Sequence, residues 1–266
     1  MIIGNKIFEN DTYIMGILNV TPDSFSDGGK WNVLDRALKH TEQMIKDGAA
    51  VIDIGGESTR PGYTQISDEE EIDRIIPVIE AVTANFDIPV SVDTYKSKVA
   101  DAALHSGASL INDIWGFKYD KKMAEICKKH DASCCLMHNR RDLIYNDFFE
   151  DVIHDLSESI TIAENTGIPR EKICIDPGIG FAKNLEQNLS LTQHIDLLNR
   201  LNLPILLGTS RKSMIGLTLD LPADQRLEGT IVTTVIAAQK HCLFVRVHDV
   251  KENYRAVKMT RALMNS

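Results

Sequence analysis

The sequence predicts a (β/α)₈ barrel formed by a single domain over residues 1–266. Eight short apolar, β-branched runs alternate with helical patterns along the chain, and this alternation is typical of βα units that build a parallel sheet. The length of 266 residues is close to the roughly 250 residues of such a barrel. An open doubly wound sheet is the alternative, but the first run is not followed by a G-x-G-x-x-G pattern, which disfavours it.

The eight predicted strands are apolar throughout instead of alternating between apolar and polar residues. This pattern is typical of parallel strands that are buried on both faces of the sheet. In chain order, the predicted strands span residues 13–18, 50–54, 90–92, 110–112, 133–137, 173–175, 205–207 and 243–247.

Helical patterns fill the gaps between these strands. Ser67 and Glu70 have the spacing of a capping box, and Pro77 is expected to kink the helix that follows or to mark a restart. Gly107 and Gly167 stand where a helix commonly ends in a left-handed residue. Besides the helix after Ser67, the predicted helices span residues 96–106, 148–166, 184–201, 227–240 and 253–264.

Composition and charge narrow the functional class. The net charge of −9 argues against binding to nucleic acid, which requires a basic surface, although a local basic cluster can still bind a small anion. The N-terminus shows no signal pattern and no apolar run approaches the roughly 18 residues of a membrane span. We therefore expect a soluble cytoplasmic protein with no nucleic-acid or membrane partner.

The five cysteines predict free thiols. Their number is odd and none forms a C-x-x-C pair, which argues against a disulfide framework and against a zinc site. Buried thiols in a reducing cytoplasm are the expected alternative. The residues concerned are Cys127, Cys134, Cys135, Cys174 and Cys242.

Polar side chains follow all eight predicted strands. In a barrel of this type, the active site lies at the carboxyl ends of the strands, so these side chains are expected to converge on one rim. In chain order, the candidates are Asn19, Thr59 with Arg60, Asp93, Asn112, His138, Asp176, Lys212 with Ser213, and Arg246 with His248.

The candidate acids and amides each have a structural alternative. Asp93 and Asp176 could cap the helices that follow them, or their carboxylates could accept two parallel N–H bonds from an amidine-like ring edge. The turn expected from Pro177-Gly178 favours the second interpretation for Asp176. Asn19 and Asn112 could be turn residues, or their amides could bind Mg²⁺ and a heterocycle.

The basic candidates point to an anion site. Arg246 and His248 are two residues apart in one strand and therefore face the same side. Together with Arg60 and Lys212 they form a cationic cluster near glycine N–H groups, which fits phosphate or pyrophosphate. His138 is expected to be a strand-end histidine with its hydrogen bonds satisfied.

Segments at these strand ends resemble the dihydropteroate synthase family. The most specific matches are the long segments 16–29 and 53–62. Shorter matches follow in the same order at residues 91–94, 111–113, 176–181, 210–213 and 246–249. The resemblance therefore extends from the first predicted strand to the last.

This resemblance implies a pterin-binding (β/α)₈ barrel and a transferase of folate biosynthesis. The implied reaction joins 6-hydroxymethyl-7,8-dihydropterin diphosphate, here called the pterin diphosphate, to para-aminobenzoate. The products are 7,8-dihydropteroate and pyrophosphate. The resemblance also implies a cytoplasmic homodimer, a target of sulfonamides, and a requirement for Mg²⁺, which Asn19 helps to hold.

The family pattern assigns roles to individual residues of this sequence. The pterin is expected to contact Asp93, Asn112, Asp176 and Lys212. The diphosphate is expected to contact Thr59, Arg60, Arg246 and His248. Phe25, Phe181, Lys212 and Ser213 are expected to frame the aminobenzoate. Catalysis is expected to depend on Lys212, Asp93, Asp176 and Arg60.

Two segments depart from the family pattern. After the fifth strand, family members often carry a Met- and Gln-containing stretch, but this chain has Asn139-Arg140-Arg141-Asp142 at the expected outer edge of the pterin. Before the last strand, a small Gly-Ala pair is usual, but this chain has His241-Cys242. The second departure is expected to affect packing only.

Three other functions compete with the synthase. A methyltransferase of the same superfamily, acting on methyltetrahydrofolate with a corrinoid protein, would need no diphosphate cluster. A Schiff-base aldolase could use Lys212 with its pKa lowered by Arg211, but that reaction leaves the other seven strand ends unexplained. A pterin- or phosphate-binding module without catalysis would have lost its metal or diphosphate residues, and the sequence retains them.

Overall fold

The computed structural model describes residues 1–20, 30–57 and 65–266. Two short strands, β1 (Ile2–Ile3) and β2 (Lys6–Ile7), precede eight parallel strands that form one sheet. The eight strands are β3 (Tyr13–Asn19), β4 (Ala49–Gly55), β5 (Val90–Asp93), β6 (Leu110–Asp113), β7 (Ser133–Met137), β8 (Ile173–Asp176), β9 (Leu206–Leu207) and β10 (Phe244–Val247). Their order in the sheet is β8-β7-β6-β5-β4-β3-β10-β9. All eight predicted strands are confirmed, with each boundary within one residue of the prediction.

The sheet closes on itself to form the predicted barrel. Ile175 in β8 forms a parallel bridge with Ile205, just before β9. The backbone N–H of Ile175 also donates to the Pro204 carbonyl at 2.9 Å. β8 and β9 are the two edge strands in the order given above. These contacts therefore join the two edges of the sheet and close the barrel.

Helices cover the outside of the barrel. Within the described part of the chain they are α1 (Lys30–Lys46), α2 (Asp68–Asn85), α3 (Ser97–His105), α4 (Met123–Lys129), α5 (Phe148–Asn165), α6 (Leu185–Gln193), α7 (Ser213–Leu219), α8 (Leu227–Gln239) and α9 (Val250–Met264). None of these helices is long and apolar enough to cross a membrane.

The predicted helices differ from the structure in some details, and the start of α9 at Val250, three residues before the prediction, is one of them. The expected helix over 184–201 is wrong in its length, because α6 ends at Gln193 and a separate 3₁₀ helix covers Ile195–Leu201. The expected restart at Pro77 is wrong, because α2 runs unbroken through this residue. Pro77 lies on the exposed face of α2, where water can reach the carbonyl that loses its N–H donor.

The expected capping box at the start of α2 is only half formed. The Ser67 hydroxyl accepts from the backbone N–H of Glu70 at 3.1 Å, as expected. The Glu70 carboxylate, however, pairs with Arg74 at 2.5 Å, one turn further along the helix. An i,i+4 ion pair on the helix surface has therefore replaced the second bond of the box.

The departure before the last strand is accommodated locally. His241 has a φ of 59°, in the left-handed region that glycine adopts at no steric cost. Cys242 is fully buried beside it, and its carbonyl accepts from the Thr12 hydroxyl at 2.7 Å.

All five cysteines are buried and unpaired, so the prediction of free thiols is confirmed.

The barrel is closed by apolar side chains at its amino end. An N-terminal hairpin of β1 (Ile2–Ile3) and β2 (Lys6–Ile7) lies across this end. Ile3 and Phe8 pack there against the inner core of the barrel, and the Phe8 and Phe244 ring centroids are 5.2 Å apart. The inner core comprises Met15, Val51, Leu110, Cys135, Cys174, Leu206 and Phe244. Polar side chains of the interior are therefore concentrated toward the opposite, carboxyl end.

Candidate active site

Strand register places the predicted site residues in one layer at the carboxyl end. Asn19 pairs with Gly55, and Gly55 pairs in turn with Asp93. Asp93 pairs with Asn112 on the next strand. These positions share one face of the sheet, so β3, β4, β5 and β6 bring together residues that the sequence spreads over more than ninety positions.

Arg246 connects two buried carboxylates inside this layer. Its Nε donates to Asp53 Oδ2 at 2.5 Å, and its Nη2 donates to Asp93 Oδ2 at 2.7 Å. Asp53 is fully buried, and its second oxygen accepts from the Ser91 hydroxyl at 2.5 Å. Although burial lowers the pKa of Arg246, the two carboxylates hold it above its ordinary value. Arg246 therefore remains charged in the barrel interior.

Asp53 is a functional candidate that the sequence analysis missed. It lies in the middle of an apolar run, and that position is a signal, because an unpaired carboxylate is rarely tolerated in a buried strand. Its partner Arg246 is 193 residues away along the chain, so the sequence alone does not reveal the pair.

Asp93 has one oxygen that the protein does not use. Oδ2 is bonded to Arg246, whereas Oδ1 is buried and makes no hydrogen bond within the described residues. Burial raises the pKa of Asp93 to about 7, Arg246 opposes the rise, and Asp53 adds to it. The alternative that Asp93 caps α3 is wrong, since neither of its oxygens bonds to that helix, and the backbone N–H of Ser97 at the start of α3 donates to Asp120 at 2.9 Å. An unsatisfied buried acceptor of this kind fits a donor from a ligand.

Asp176 is held by the turn that follows it. Its Oδ1 accepts from the backbone N–H of Gly178 at 2.7 Å. Asn184, and not Asp176, caps the following helix α6, so the capping alternative is wrong here as well. Burial raises the pKa of Asp176, and Lys212 is the main group that opposes the rise. A Cβ at Gly208 would lie 3.5 Å from Asp176 Oδ2, so this glycine borders the second oxygen.

Lys212 lies over this turn and is not a solvated surface charge. Its Nζ donates to the Ile179 carbonyl and is 4.6 Å from the centre of the Phe181 ring. Burial lowers the pKa of Lys212 to about 8, although Asp176 raises it. The neighbouring Arg211 instead forms a two-bond ion pair with Asp249, at 3.0 and 2.5 Å. The structure therefore does not support an aldolase in which Arg211 activates Lys212.

The remaining candidates occupy the same rim. Asn112 is buried at the end of β6, and Ser213 is exposed as the first residue of α7. The His248 imidazole pairs through Nδ1 with the Ser210 hydroxyl at 2.9 Å, and this hydroxyl also accepts from the His248 backbone N–H at 3.1 Å. Three further candidates, Phe25, Thr59 and Arg60, lie outside the described residues.

A second buried network of hydrogen bonds and ion pairs lies beside Asp93. The sequence did not predict this network either. Lys96 Nζ donates to Glu57 at 2.6 Å, to Glu71 at 2.8 Å and to the Ile66 carbonyl at 2.9 Å. Glu57 also accepts from the Tyr95 hydroxyl at 2.7 Å. One ammonium group thus joins the end of β4 to the start of α2.

His138 has the satisfied environment that the sequence predicts. It is buried, its Nε2 is 3.0 Å from Asp155 Oδ2, and its Nδ1 is 2.8 Å from Lys183 Nζ. Burial lowers the pKa of His138 to about 4. Arg140, in the segment that departs from the family pattern, donates from Nε to the same Asp155 oxygen at 2.5 Å. The segment that departs from the family pattern is therefore anchored by the pairing of Arg140 with Asp155, which lies outside the layer of site residues.

Comparison with known proteins identifies the family. A family model described as pterin binding enzyme matches residues 15–248. The dihydropteroate synthase of Clostridium beijerinckii is 59% identical over 98% of both chains, and that of Bacillus subtilis is 52% identical over 97% of this chain and 90% of the relative. The chain belongs to the dihydropteroate synthase family of pterin-binding enzymes. The predicted resemblance is therefore confirmed.

Solved structures of this family support the same assignment. Dihydropteroate synthase from Clostridium difficile, determined in the presence of pteroic acid, has a TM-score of 0.94 and 48% identity over 97% of this chain and 99% of that one. The enzyme from Xanthomonas albilineans with 4-aminobenzoic acid has a TM-score of 0.92 and 40% identity over 97% of this chain and 94% of that one. The barrel is thus shared with members of the dihydropteroate synthase family.

Replacing Gly178 with alanine should damage the site selectively. Gly178 has a φ of 68°, and an added Cβ would lie 1.9 Å from the His138 carbonyl oxygen. Gly167→Ala is a matched control, since its φ is 87° but its Cβ would meet only the flexible end of Lys128, at 3.5 Å from Cε and 3.8 Å from Nζ. We expect the control to lose about 1 kcal/mol of unfolding free energy from backbone strain.

Gly178→Ala should lose more than this control and should also weaken pterin binding, because the turn that holds Asp176 must shift. Urea unfolding and calorimetric titration with the pterin measure the two effects. Equal stability losses in the two variants, with unchanged pterin affinity, would show that the contact with His138 is unimportant.

Proposed function

We propose that the chain condenses the pterin diphosphate with para-aminobenzoate to give 7,8-dihydropteroate and pyrophosphate. The observation that carries this proposal is the buried oxygen Asp93 Oδ1, which makes no hydrogen bond within the described residues and lies in the same rim as Asp176 and Asn112. The relatives named above act as dihydropteroate synthases, and structures of family members were determined with pteroic acid and with 4-aminobenzoic acid.

The carboxylates and the amide of the rim recognise the pterin. The amino-pyrimidinone edge of a pterin presents two parallel N–H donors, which match the two oxygens of a carboxylate. Asp176, fixed through Oδ1 by Gly178 at 2.7 Å, supplies such a carboxylate. Asp93 Oδ1 accepts a further ring N–H, and Asn112 can both donate and accept. Because these groups are buried, an analogue without matching donors leaves them unsatisfied.

The basic residues assist departure of the diphosphate. The bond between the pterin methylene carbon and the diphosphate oxygen breaks, and pyrophosphate leaves with the electron pair. Lys212, Arg246 and His248 can neutralise the charge that develops on the leaving group, together with Thr59 and Arg60. Arg246 is held for this role by Asp53 and Asp93, and His248 is held by Ser210.

The aminobenzoate completes the reaction as a neutral nucleophile. The carbon left behind is conjugated with the pterin ring, so its positive charge is delocalised. The aniline nitrogen forms the new C–N bond and then loses a proton to solvent or to pyrophosphate. This chemistry requires no strong base. Phe181 and Lys212, with Nζ 4.6 Å from the ring centre, frame the aromatic ring together with Phe25. Ser213, an exposed residue, donates its hydroxyl to the carboxylate.

We also propose that Mg²⁺ takes part and that Asn19 contributes an oxygen ligand. Mg²⁺ commonly uses one or two protein oxygens and completes its shell with water and substrate phosphates. Gly55 leaves room for this beside Asn19, because a Cβ there would lie 3.6 Å from Asn19 Oδ1 and 3.8 Å from Asp93 Cβ. The bound ion would neutralise part of the diphosphate charge.

The decisive test is release of pyrophosphate. We expect release only when the pterin diphosphate, para-aminobenzoate and Mg²⁺ are all present. Asp176→Asn is a matched control for the site, since it preserves the shape but replaces one acceptor oxygen with an NH₂ group. Absence of release with both substrates would refute the transferase. Full activity in excess chelator would refute only the role of Mg²⁺.

The lowered pKa of Lys212 predicts that kcat/KM falls at alkaline pH. Its pKa is lowered to about 8, so the cation is present below that pH and is lost above it. We expect kcat/KM to fall about tenfold per pH unit above about 8, because this ratio reports ionisations of the free enzyme. Lys212→Arg keeps its charge at these pH values, so its profile should lack the fall centred near pH 8 even if its rate is lower. Burial also lowers the pKa of Lys183, to about 7, and any fall that this residue causes near pH 7 should persist in the variant. A fall centred near pH 8 that is unchanged in Lys212→Arg would contradict the assignment.

We further propose that the protein is a homodimer that associates through α7 and α8. Leu217 and Leu219 on α7 and Val232 on α8 are 68%, 45% and 59% exposed. Neighbouring apolar side chains of this kind often mark a protein–protein contact. Sedimentation equilibrium should give twice the chain mass, and Val232→Glu should give a monomer. A wild-type monomer at micromolar concentration would contradict the proposal.

The cytoplasm is the compartment that we propose for this enzyme. All five cysteines are unpaired and buried, which is typical of proteins kept in a reducing environment. Cell fractionation that recovers the protein outside the cytoplasm would contradict this assignment.

A further inference from the structure

Lys183 is a buried lysine directly behind the turn that carries Asp176. Only 9% of the residue is exposed. Its Nζ donates to the Gly178 carbonyl at 3.0 Å, to the Phe181 carbonyl at 3.0 Å and to His138 Nδ1 at 2.8 Å. The ammonium form has three N–H bonds, so these three acceptors use all of them. Burial lowers the pKa of Lys183 to about 7, although Asp176 opposes this, so the form that makes all three bonds predominates below that pH.

The two carbonyls belong to the backbone that shapes the site. Gly178 donates its N–H to Asp176 Oδ1 at 2.7 Å. Phe181 places its ring 4.6 Å from Lys212 Nζ, and Ile179 between them supplies the carbonyl to which Lys212 donates. A single ammonium therefore holds both ends of a four-residue segment that contacts Asp176 and Lys212.

Lys183 is itself fixed by a chain of hydrogen bonds. His138 accepts through Nδ1, so the neutral ring carries its proton on Nε2 and donates it to Asp155 at 3.0 Å. The low pKa of His138, about 4 because of burial, keeps the ring neutral and able to accept. Arg140 donates to the same Asp155 oxygen at 2.5 Å, and the His138 backbone N–H donates to the Asp176 carbonyl at 2.8 Å.

We propose that Lys183 is a positioning residue for the transferase, whose ammonium holds residues 178–181 in the conformation that orients Asp176 for the pterin and Phe181 with Lys212 for the aminobenzoate. This proposal rests on the function proposed above. A lysine suits the position because three acceptors surround one point, whereas the planar fork of arginine is suited to acceptors that lie side by side.

Removal of the ammonium should loosen the segment without touching the ligands. Lys183→Met keeps the unbranched apolar stem and removes all three donors, which leaves the Gly178 and Phe181 carbonyls without their partner. Displacement of positioned groups by about 1 Å can reduce a rate roughly a hundredfold. We therefore expect kcat/KM to fall roughly ten- to hundredfold, mainly through a higher KM for both substrates.

A matched control separates positioning from stability. Lys172 is also mostly buried, with 15% of its side chain exposed, and its Nζ bonds to the Asp131 carbonyl and carboxylate at 2.6 Å. It lies just before β8, at the amino end of the barrel. Lys172→Met should lower the melting temperature but leave KM and the dissociation constant of the pterin diphosphate within twofold of wild type.

A second pair of variants tests the same contact from the partner side. The side-chain oxygen in His138→Asn can lie near the position of His138 Nδ1 and so retain an acceptor for Lys183, whereas His138→Leu provides none. We expect His138→Leu to raise KM in the same direction as Lys183→Met, and His138→Asn to restore KM toward wild type. This pair decides the question if Lys183→Met does not fold.

The outcomes distinguish this proposal from the proposed function. Calorimetry with the pterin diphosphate and Mg²⁺ gives the dissociation constant, and the pyrophosphate assay gives kcat and KM. A folded Lys183→Met protein with wild-type KM and affinity would overturn the positioning role, as would equal KM values for His138→Leu and His138→Asn. A wild-type protein that releases no pyrophosphate would instead overturn the transferase.

Discussion

The ion pairs of Arg246 with Asp53 and Asp93 are the interaction on which the rest of the site depends. A carboxylate in an apolar barrel interior loses its hydration, and a cation must compensate for that loss. Arg246 bonds one oxygen of each acid, and Ser91 takes the second oxygen of Asp53. One oxygen of Asp93 is left for a ligand. Loss of Arg246 would leave two buried carboxylates without a compensating cation, which typically costs several kcal/mol.

Buried lysines have a related role on two sides of the rim. Lys96 links Glu57 and Glu71 to the Ile66 carbonyl, and Lys183 links His138 to the carbonyls of Gly178 and Phe181. Each ammonium bonds both side chains and backbone oxygens, so each ties a loop to groups from other elements. Loops of this barrel type usually carry function on a rigid scaffold. Here the rigidity of the scaffold extends into the loops through these charged hydrogen bonds.

The sequence predicted the strands well because their signal is local. Each strand is a run of apolar, β-branched residues, and the polar residue after each run marks the rim.

The same local information was insufficient for contacts between residues that are distant along the chain. Whether Asp93 binds Arg246 or caps α3 depends on a residue 153 positions away. Lys183 was not predicted because one of its three acceptors, His138, is 45 residues away and becomes a neighbour only after β7 and β8 pair. Similarly, Glu70 could bond to Ser67 or Arg74, and the side chains alone do not indicate which.

The N-terminal hairpin has a consequence for the traffic of molecules through the barrel. Because Ile3 and Phe8 close the amino end against Phe244 and its neighbours, the described residues leave no passage through that end of the barrel. A molecule that reaches Asp93 and Asp176 is therefore expected to approach from the carboxyl rim and to leave by the same side.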